Sequence, residues 1–332
     1  MKALYLKLTL AIAALVVFFF VGRHYLTELP RIVEASAWGV VAIAFIHTLT
    51  LWLQGQSILI GLKPFDLGEP AKAKQVSCAA ERISSEKCFG LTVLGSYANL
   101  LLPRTGIATT AAYLKYRCSV SFADFAAVTF YNGILFVFCG SAISIVAMHL
   151  HVGVHWLAEA WLFAALYALL LFSAIAAVFK WRFGARELGG IGWIKNAFRK
   201  LQHSSAHIAQ SKFAGQLLLL NFAMAALRAL RLGVACWAMG LDVSPLGVVL
   251  ASALGDVIFV FSITPAALGF RECAIAFSAS AMGISPELAI SVAVFDRLAF
   301  SGTVVVLAQA VIAMGIRVPQ SHKSQTSSPL PN

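Results

Sequence analysis

The chain of 332 residues is 60% hydrophobic and only 12% charged, with a mean hydropathy of +0.84. Soluble domains carry ~25% charged residues, and a water-soluble fold of this length cannot hide so much apolar surface, so a soluble enzyme is excluded. The net charge of +11, from 25 Lys/Arg against 14 Asp/Glu, would suggest nucleic acid in a soluble protein. Here the basic residues cluster at helix ends and in connections, where the positive-inside rule accounts for them, and no nucleic-acid partner is expected.

A bilayer span takes ~20 apolar residues. Six stretches qualify, at roughly 4–22, 38–60, 122–148, 156–179, 213–239 and 286–315. No alternation of polar and apolar residues marks an outer-membrane barrel, so the fold class is all-α: a polytopic helical membrane protein with about six full spans. Lys2 and Lys7 precede the apolar run from Leu8 to Val21, but no small-x-small cleavage site follows. An uncleaved first span is expected. In the second span, His47, Gln54 and Gln56 are polar groups suited to hydrogen bonding between helices. Val76, Ala79, Ala80 and Ile83 then recur at helical spacing among charged residues, which predicts an interfacial amphipathic helix over 69–86.

Two further apolar regions are interrupted. Residues 88–118 contain Pro103 and Gly106, and residues 245–283 contain Pro265 and Gly269. Proline and glycine break helices, so each region is expected to be a re-entrant hairpin, inside protein or against a hydrated cavity. Between them, 149–155 and 240–244 lack Lys and Arg and are placed outside. Segment 180–212 holds seven Lys/Arg against Glu187 alone and reads as a polar cytoplasmic loop, with both chain termini on the same side. His149, His151 and His155 in the external turn, and His203 and His207 in the loop, form no metal-ligand pattern. Cys78, Cys88, Cys118, Cys139, Cys236 and Cys273 include no CxxC pair and read as small core hydrophobes. The tail 318–332 is Ser/Pro-rich, and a disordered cytoplasmic extension is expected.

The interrupted regions resemble each other. Ser121 to Phe136 can be laid without gaps on Ser285 to Phe300, Pro103 and Gly106 pair with Pro265 and Gly269, and Leu94–Gly95 pairs with Leu254–Gly255. Three spans separate the hairpins, so the two enter from opposite faces. Broken helices in an inverted repeat are a transporter signature, with the site expected between the breaks near the midplane. The expected organisation is one transmembrane domain, 1–317, with repeat 1 at about 70–148 and repeat 2 at about 240–316.

The run Asn99-Leu-Leu-Leu-Pro-Arg-Thr-Gly106, followed by Ala111-Ala-Tyr-Leu-Lys115, resembles the first motif of the lysylphosphatidylglycerol synthase transmembrane-region family of flippase-like proteins. Pro265-Ala-Ala-Leu-Gly-Phe-Arg-Glu272, Met282-Gly-Ile-Ser285 and Phe295-Asp-Arg-Leu298 resemble its second motif. The resemblance covers about residues 5–316. It implies movement or presentation of a lipid, without the soluble aminoacyl-transferase domain of the family's best-known branch. Members often carry an acidic residue and an arginine where this chain has Ile107 to Thr110, and Glu-Arg where it has Tyr131-Asn132.

Ionisable groups inside spans are costly and mark bundle interiors or pathways. The candidates are Arg104, Arg228, Arg231, Asp256, Arg271, Glu272, Asp296 and Arg297, five arginines against three carboxylates. Asn221, Met224, Arg228 and Arg231 share one stripe at helical spacing. The expected site joins these charged residues with Asn99 in one polar cavity, where guanidinium groups suit the phosphate of a lipid. Structural ion pairs, and a helix-dipole role for Glu272, are the competing explanations. No Ser–His–Asp set, phosphate loop or paired carboxylates are present, so neither enzyme activity nor a cofactor is expected. The leading function is a translocase of phosphate-bearing, anionic lipids in the cytoplasmic membrane. The alternatives are a membrane subunit scaffolding a lipid-modifying or glycan-assembly enzyme, and an ion-coupled small-solute transporter.

Overall fold

The computed structural model describes residues 36–66, 83–102, 105–152, 169, 192–260, 270–280 and 284–314. Nine helices are formed among them: α1 Ala37–Asp66, α2 Ser85–Leu101, α3 Thr105–Cys118, α4 Phe122–Val152, α5 Gly192–Gln210, α6 Ala214–Ala238, α7 Pro245–Val260, α8 Phe270–Ser280 and α9 Pro286–Ala313. Four of these, α1, α4, α6 and α9, are long and apolar enough to cross a membrane. At ~1.5 Å per residue they exceed the ~30 Å hydrocarbon core. Large apolar side chains on these helices, including Trp38, Phe45, Leu219, Leu230 and Val306, are exposed, as suits helices in a bilayer. The spans expected at 4–22 and 156–179, the amphipathic helix over most of 69–86 and the tail lie outside the described residues.

Local chemistry sets the helix ends. Ser84 caps α2 by accepting from the Lys87 N–H at 3.3 Å. Ser121 caps α4, accepting from Asp124 N–H at 3.1 Å while donating to the Asp124 carboxylate at 2.6 Å. Ser285 caps α9 ahead of Pro286, which suits a first-turn position because it lacks an N–H. α6 ends in a Schellman arrangement: Gly240 N–H donates to Trp237 O and Leu241 N–H to Cys236 O. Gly240 takes φ +70° there, a conformation glycine adopts without steric cost.

Contacts between ends fix the helix directions. Ser36 N–H donates to Ala238 O, and His207, at the far end of α5, bonds Pro64 O at 3.1 Å. α1 and α6 therefore run antiparallel. Gly61, late in α1, faces Val128, early in α4, so α4 also opposes α1. Leu51 of α1 and Val93 of α2 pack with Val304 and Val311 of α9. α2 and α3 pack against each other, as do α7 and α8.

The two pairs open at opposite ends of this bundle. The first is rooted among Leu62, Phe125, Ile208 and Leu217, where Tyr113, Leu114 and Cys118 join the core. The second is rooted among Ile43, Ala235, Met239 and Val292, where Val248 and Ile275 join it. Leu102 N–H and the Thr105 hydroxyl both donate to Ala98 O, and Gly106 N–H donates to the Asn99 Oδ1 at 2.8 Å. These bonds stitch together the interruption between α2 and α3. A Cβ at Gly106 would collide with the Gly95 carbonyl oxygen and the Asn99 amide, so two glycines allow the close approach of α2 and α3. Pro103, Arg104, Pro265 and Gly269 lie outside the described residues.

Several readings of the sequence need correcting. Residues 192–210 form a helix rather than a loop. Ile194, Phe198, Leu201, Ser205 and Ile208 repeat at three and four residues, and Ser205 and Ile208 are buried. Ser204 also donates to Asp124 at 3.0 Å, docking α5 on α4. His149 and His151 end α4 instead of lying in a turn. Cys88, Cys139 and Cys236 are buried as expected, but Cys273 is exposed on α8.

Candidate functional site

The centre of the polar network is Asp296, which has no solvent exposure. It lies ten residues into α9 from Pro286, about 15 Å along the axis at ~1.5 Å per residue. Such a carboxylate is costly unless its oxygens are bonded. Arg231 of α6 donates from Nε to Oδ1 at 2.7 Å and from Nη2 to Oδ2 at 3.2 Å. Arg271 of α8 donates from Nη2 to Oδ2 at 3.0 Å. The Arg231 fork is the bidentate geometry that a planar guanidinium provides.

The remaining charges extend this centre. Arg228, one turn before Arg231, pairs with Asp256 of α7 at 3.3 Å and lies over the Phe136 ring of α4 at 4.4 Å. Arg297 pairs with Glu272 at 2.6 Å, tying α9 to the start of α8. Arg271 feels the charges of Asp296, Asp256 and Glu272 together. The structure thus assembles Arg228, Arg231, Arg271, Arg297, Asp256, Glu272 and Asp296 on four helices. Four arginines against three carboxylates leave a net charge of 4 − 3 = +1.

Two expected members stand differently. Asn99 is engaged within the first helix pair through Gly106, and no bond joins it to the arginines. Arg104 lies outside the described residues. Conversely, His47 of α1 belongs to the network: its Nδ1 lies 2.9 Å from Arg231 Nη1, and its ring meets Phe300 at 5.2 Å between centroids. Its sequence signal was a polar residue in an apolar span, but a neutral side chain carries less warning than a charge. Gln56, by contrast, hydrogen-bonds Ser85 of α2, as expected of a polar link between helices. Among the described residues no three His, Cys, Asp or Glu side chains gather to hold a metal.

Beside the network lies an apolar cleft lined by Leu232, Val248, Ile275 and Val292, among others. Leu232 adjoins Arg231, Ile275 is one turn beyond Arg271, and Val292 is one turn before Asp296. Charge and cleft therefore share the same four helices.

The first half of the bundle meets α6 through a neutral contact. Asn221 Nδ2 donates to Asn132 Oδ1 of α4 at 3.2 Å. The offset between Ser121 and Ser285 is 164, which sets Asn132 on Asp296.

No curated protein matches this sequence. A family model described as the lysylphosphatidylglycerol synthase TM region matches residues 6–308, a range containing α1, α4 and α6, all but the last turn of α9, both helix pairs and every member of the charged network. This multi-pass membrane protein belongs to the lysylphosphatidylglycerol synthase transmembrane-region family, whose members serve lipid-related processes.

Proposed function

We propose that this protein is a translocase for a phosphate-bearing lipid, whose headgroup engages the arginine network while its tails stay in the bilayer. The observation that carries the reading is the net charge of +1 of the paired network on α6, α7, α8 and α9, whose arginines are buried or half-buried. Excess charge at this depth is expensive, and an anionic headgroup would compensate it. Guanidinium groups are suited to the task because they stay charged and donate in pairs to phosphate oxygens.

The helix pairs opening at opposite ends support an inverted repeat, in which each pair is a re-entrant hairpin. Equivalent positions add to this support. Ser121 and Ser285 both cap the helix that follows, and Asn132 and Asp296 both bond to α6. Alternating access would then be rocking of the two halves around α6. The chain would sit in the cytoplasmic membrane with both termini and α5 on the cytoplasmic side, acting as a transporter rather than an enzyme.

One observation favours a rival reading: each of the four arginines of the network already has a carboxylate partner. That pattern suits a non-transporting subunit that scaffolds a lipid-modifying enzyme. Reconstitution separates the two. Vesicles containing the full chain and a lipid labelled beside its phosphate should expose inner-leaflet label to an impermeant quencher. Protein-free vesicles should protect that label. If both protect it for every phosphate-bearing lipid tried, the translocase reading is wrong.

A further inference from the structure

A guanidinium has no lone pair and can only donate. The 2.9 Å contact between Arg231 Nη1 and His47 Nδ1 therefore requires Nδ1 to accept, which leaves the ring proton on Nε2. That Nε2–H is buried and has no partner among the described residues, and neither does Nη1 of Arg271. His47 is 8% exposed and Arg271 4%. Two donors are thus left over on side chains that converge on Asp296, one through Arg231 and one directly. A buried donor without an acceptor is costly.

We propose that His47 Nε2–H and Arg271 Nη1–H form a binding site for a phosphoryl oxygen. His47 is the member that reads the ligand as a neutral donor. The ligand class rests on the translocase reading, but the donor site does not require that the ligand moves. A lipid phosphate and free phosphate share this oxygen chemistry, and the binding probes distinguish the two. His47 is a positioning residue for Arg231 through Nδ1 and a ligand contact through Nε2, and these two roles can be separated. In His47→Asn the amide oxygen takes the place of Nδ1 and the Nε2 donor is lost. In His47→Gln the amide nitrogen takes the place of Nε2 and the donor is kept.

The test is equilibrium binding to the purified full-length protein in detergent, with dihexanoyl phosphatidate, inorganic phosphate and dihexanoylglycerol as probes. The wild type should bind phosphatidate more tightly than dihexanoylglycerol. Phosphatidate affinity should fall about tenfold in His47→Asn, the scale of one hydrogen bond to a charged group, and recover largely in His47→Gln. Dihexanoylglycerol affinity should not change, and size-exclusion profiles should show both variants folded. Inorganic phosphate binding as tightly as phosphatidate would support the donor site and assign it to a free anion. Equal affinity of phosphatidate and dihexanoylglycerol in the wild type would overturn the proposal, as would unchanged phosphatidate binding in His47→Asn. Transport that persists in His47→Asn with unchanged binding would sink this site while leaving the translocase reading intact. Binding as predicted without transport would do the reverse.

Discussion

Asp296 accepts three hydrogen bonds from two arginines in a fully buried position, so its charge and theirs are mutually dependent. Removing the carboxylate charge leaves Arg231 and Arg271 buried without their counter-ion, a change that typically costs about 3–5 kcal/mol. Asp296→Asn should accordingly lower the melting temperature in detergent sharply, and an unchanged melt would show that the pairs hold nothing. The charged members of this network were legible in the sequence because an ionised group in an apolar span must find a partner. Their pairings were not. Asp256, Glu272 and Asp296 each had several arginines within plausible reach, and only packing of α6 against α7 and α9 assigns Arg228 to Asp256 and Arg231 to Asp296. His47 escaped notice as a network member because it is uncharged beside a guanidinium.

Among the elements, the first helix pair depends on close backbone approach. At Gly106 an added methyl would overlap the Gly95 carbonyl and the Asn99 side chain. Gly106→Ala should therefore separate α2 from α3 and break the Asn99 bond, seen as faster proteolysis at the α2–α3 junction and a lower melting temperature. Wild-type resistance in this variant would refute the tight packing. The interruption here was foreseeable from proline and glycine. α5 was not read from the sequence, for a specific reason: Lys195, Arg199 and Lys200 dominate its composition and suggest a solvated loop. Its apolar stripe at Ile194, Phe198, Leu201 and Ile208 follows helical spacing, and the bonds of Ser204 to Asp124 and His207 to Pro64 depend on a partner surface that no local pattern reveals.

At the scale of the whole molecule, α4 and α6 both run opposite to α1, and the two helix pairs open at opposite ends. This arrangement could be drawn from Lys/Arg asymmetry and the count of spans between the interruptions. The proposed topology would place α5 and the base of the first pair on the cytoplasmic side. A single cysteine at position 195, in an otherwise cysteine-free protein, should resist an impermeant thiol reagent in intact cells and react after permeabilisation. Labelling from outside would invert the topology. The central claim is that the buried arginine network handles the headgroup, and Arg228 tests it most directly. Its pair with Asp256 is the longest of the four, at 3.3 Å, and its 15% side-chain exposure makes it the most open of the paired arginines. The decisive measurement is the rate of labelled phospholipid translocation in vesicles, per molecule of folded protein, for wild type, Arg228→Ala and Arg228→Lys. Loss of transport in Arg228→Ala, with partial activity in Arg228→Lys because charge survives without the planar fork, is the predicted result. Full activity per folded molecule in Arg228→Ala, with only the folded yield reduced, would contradict it.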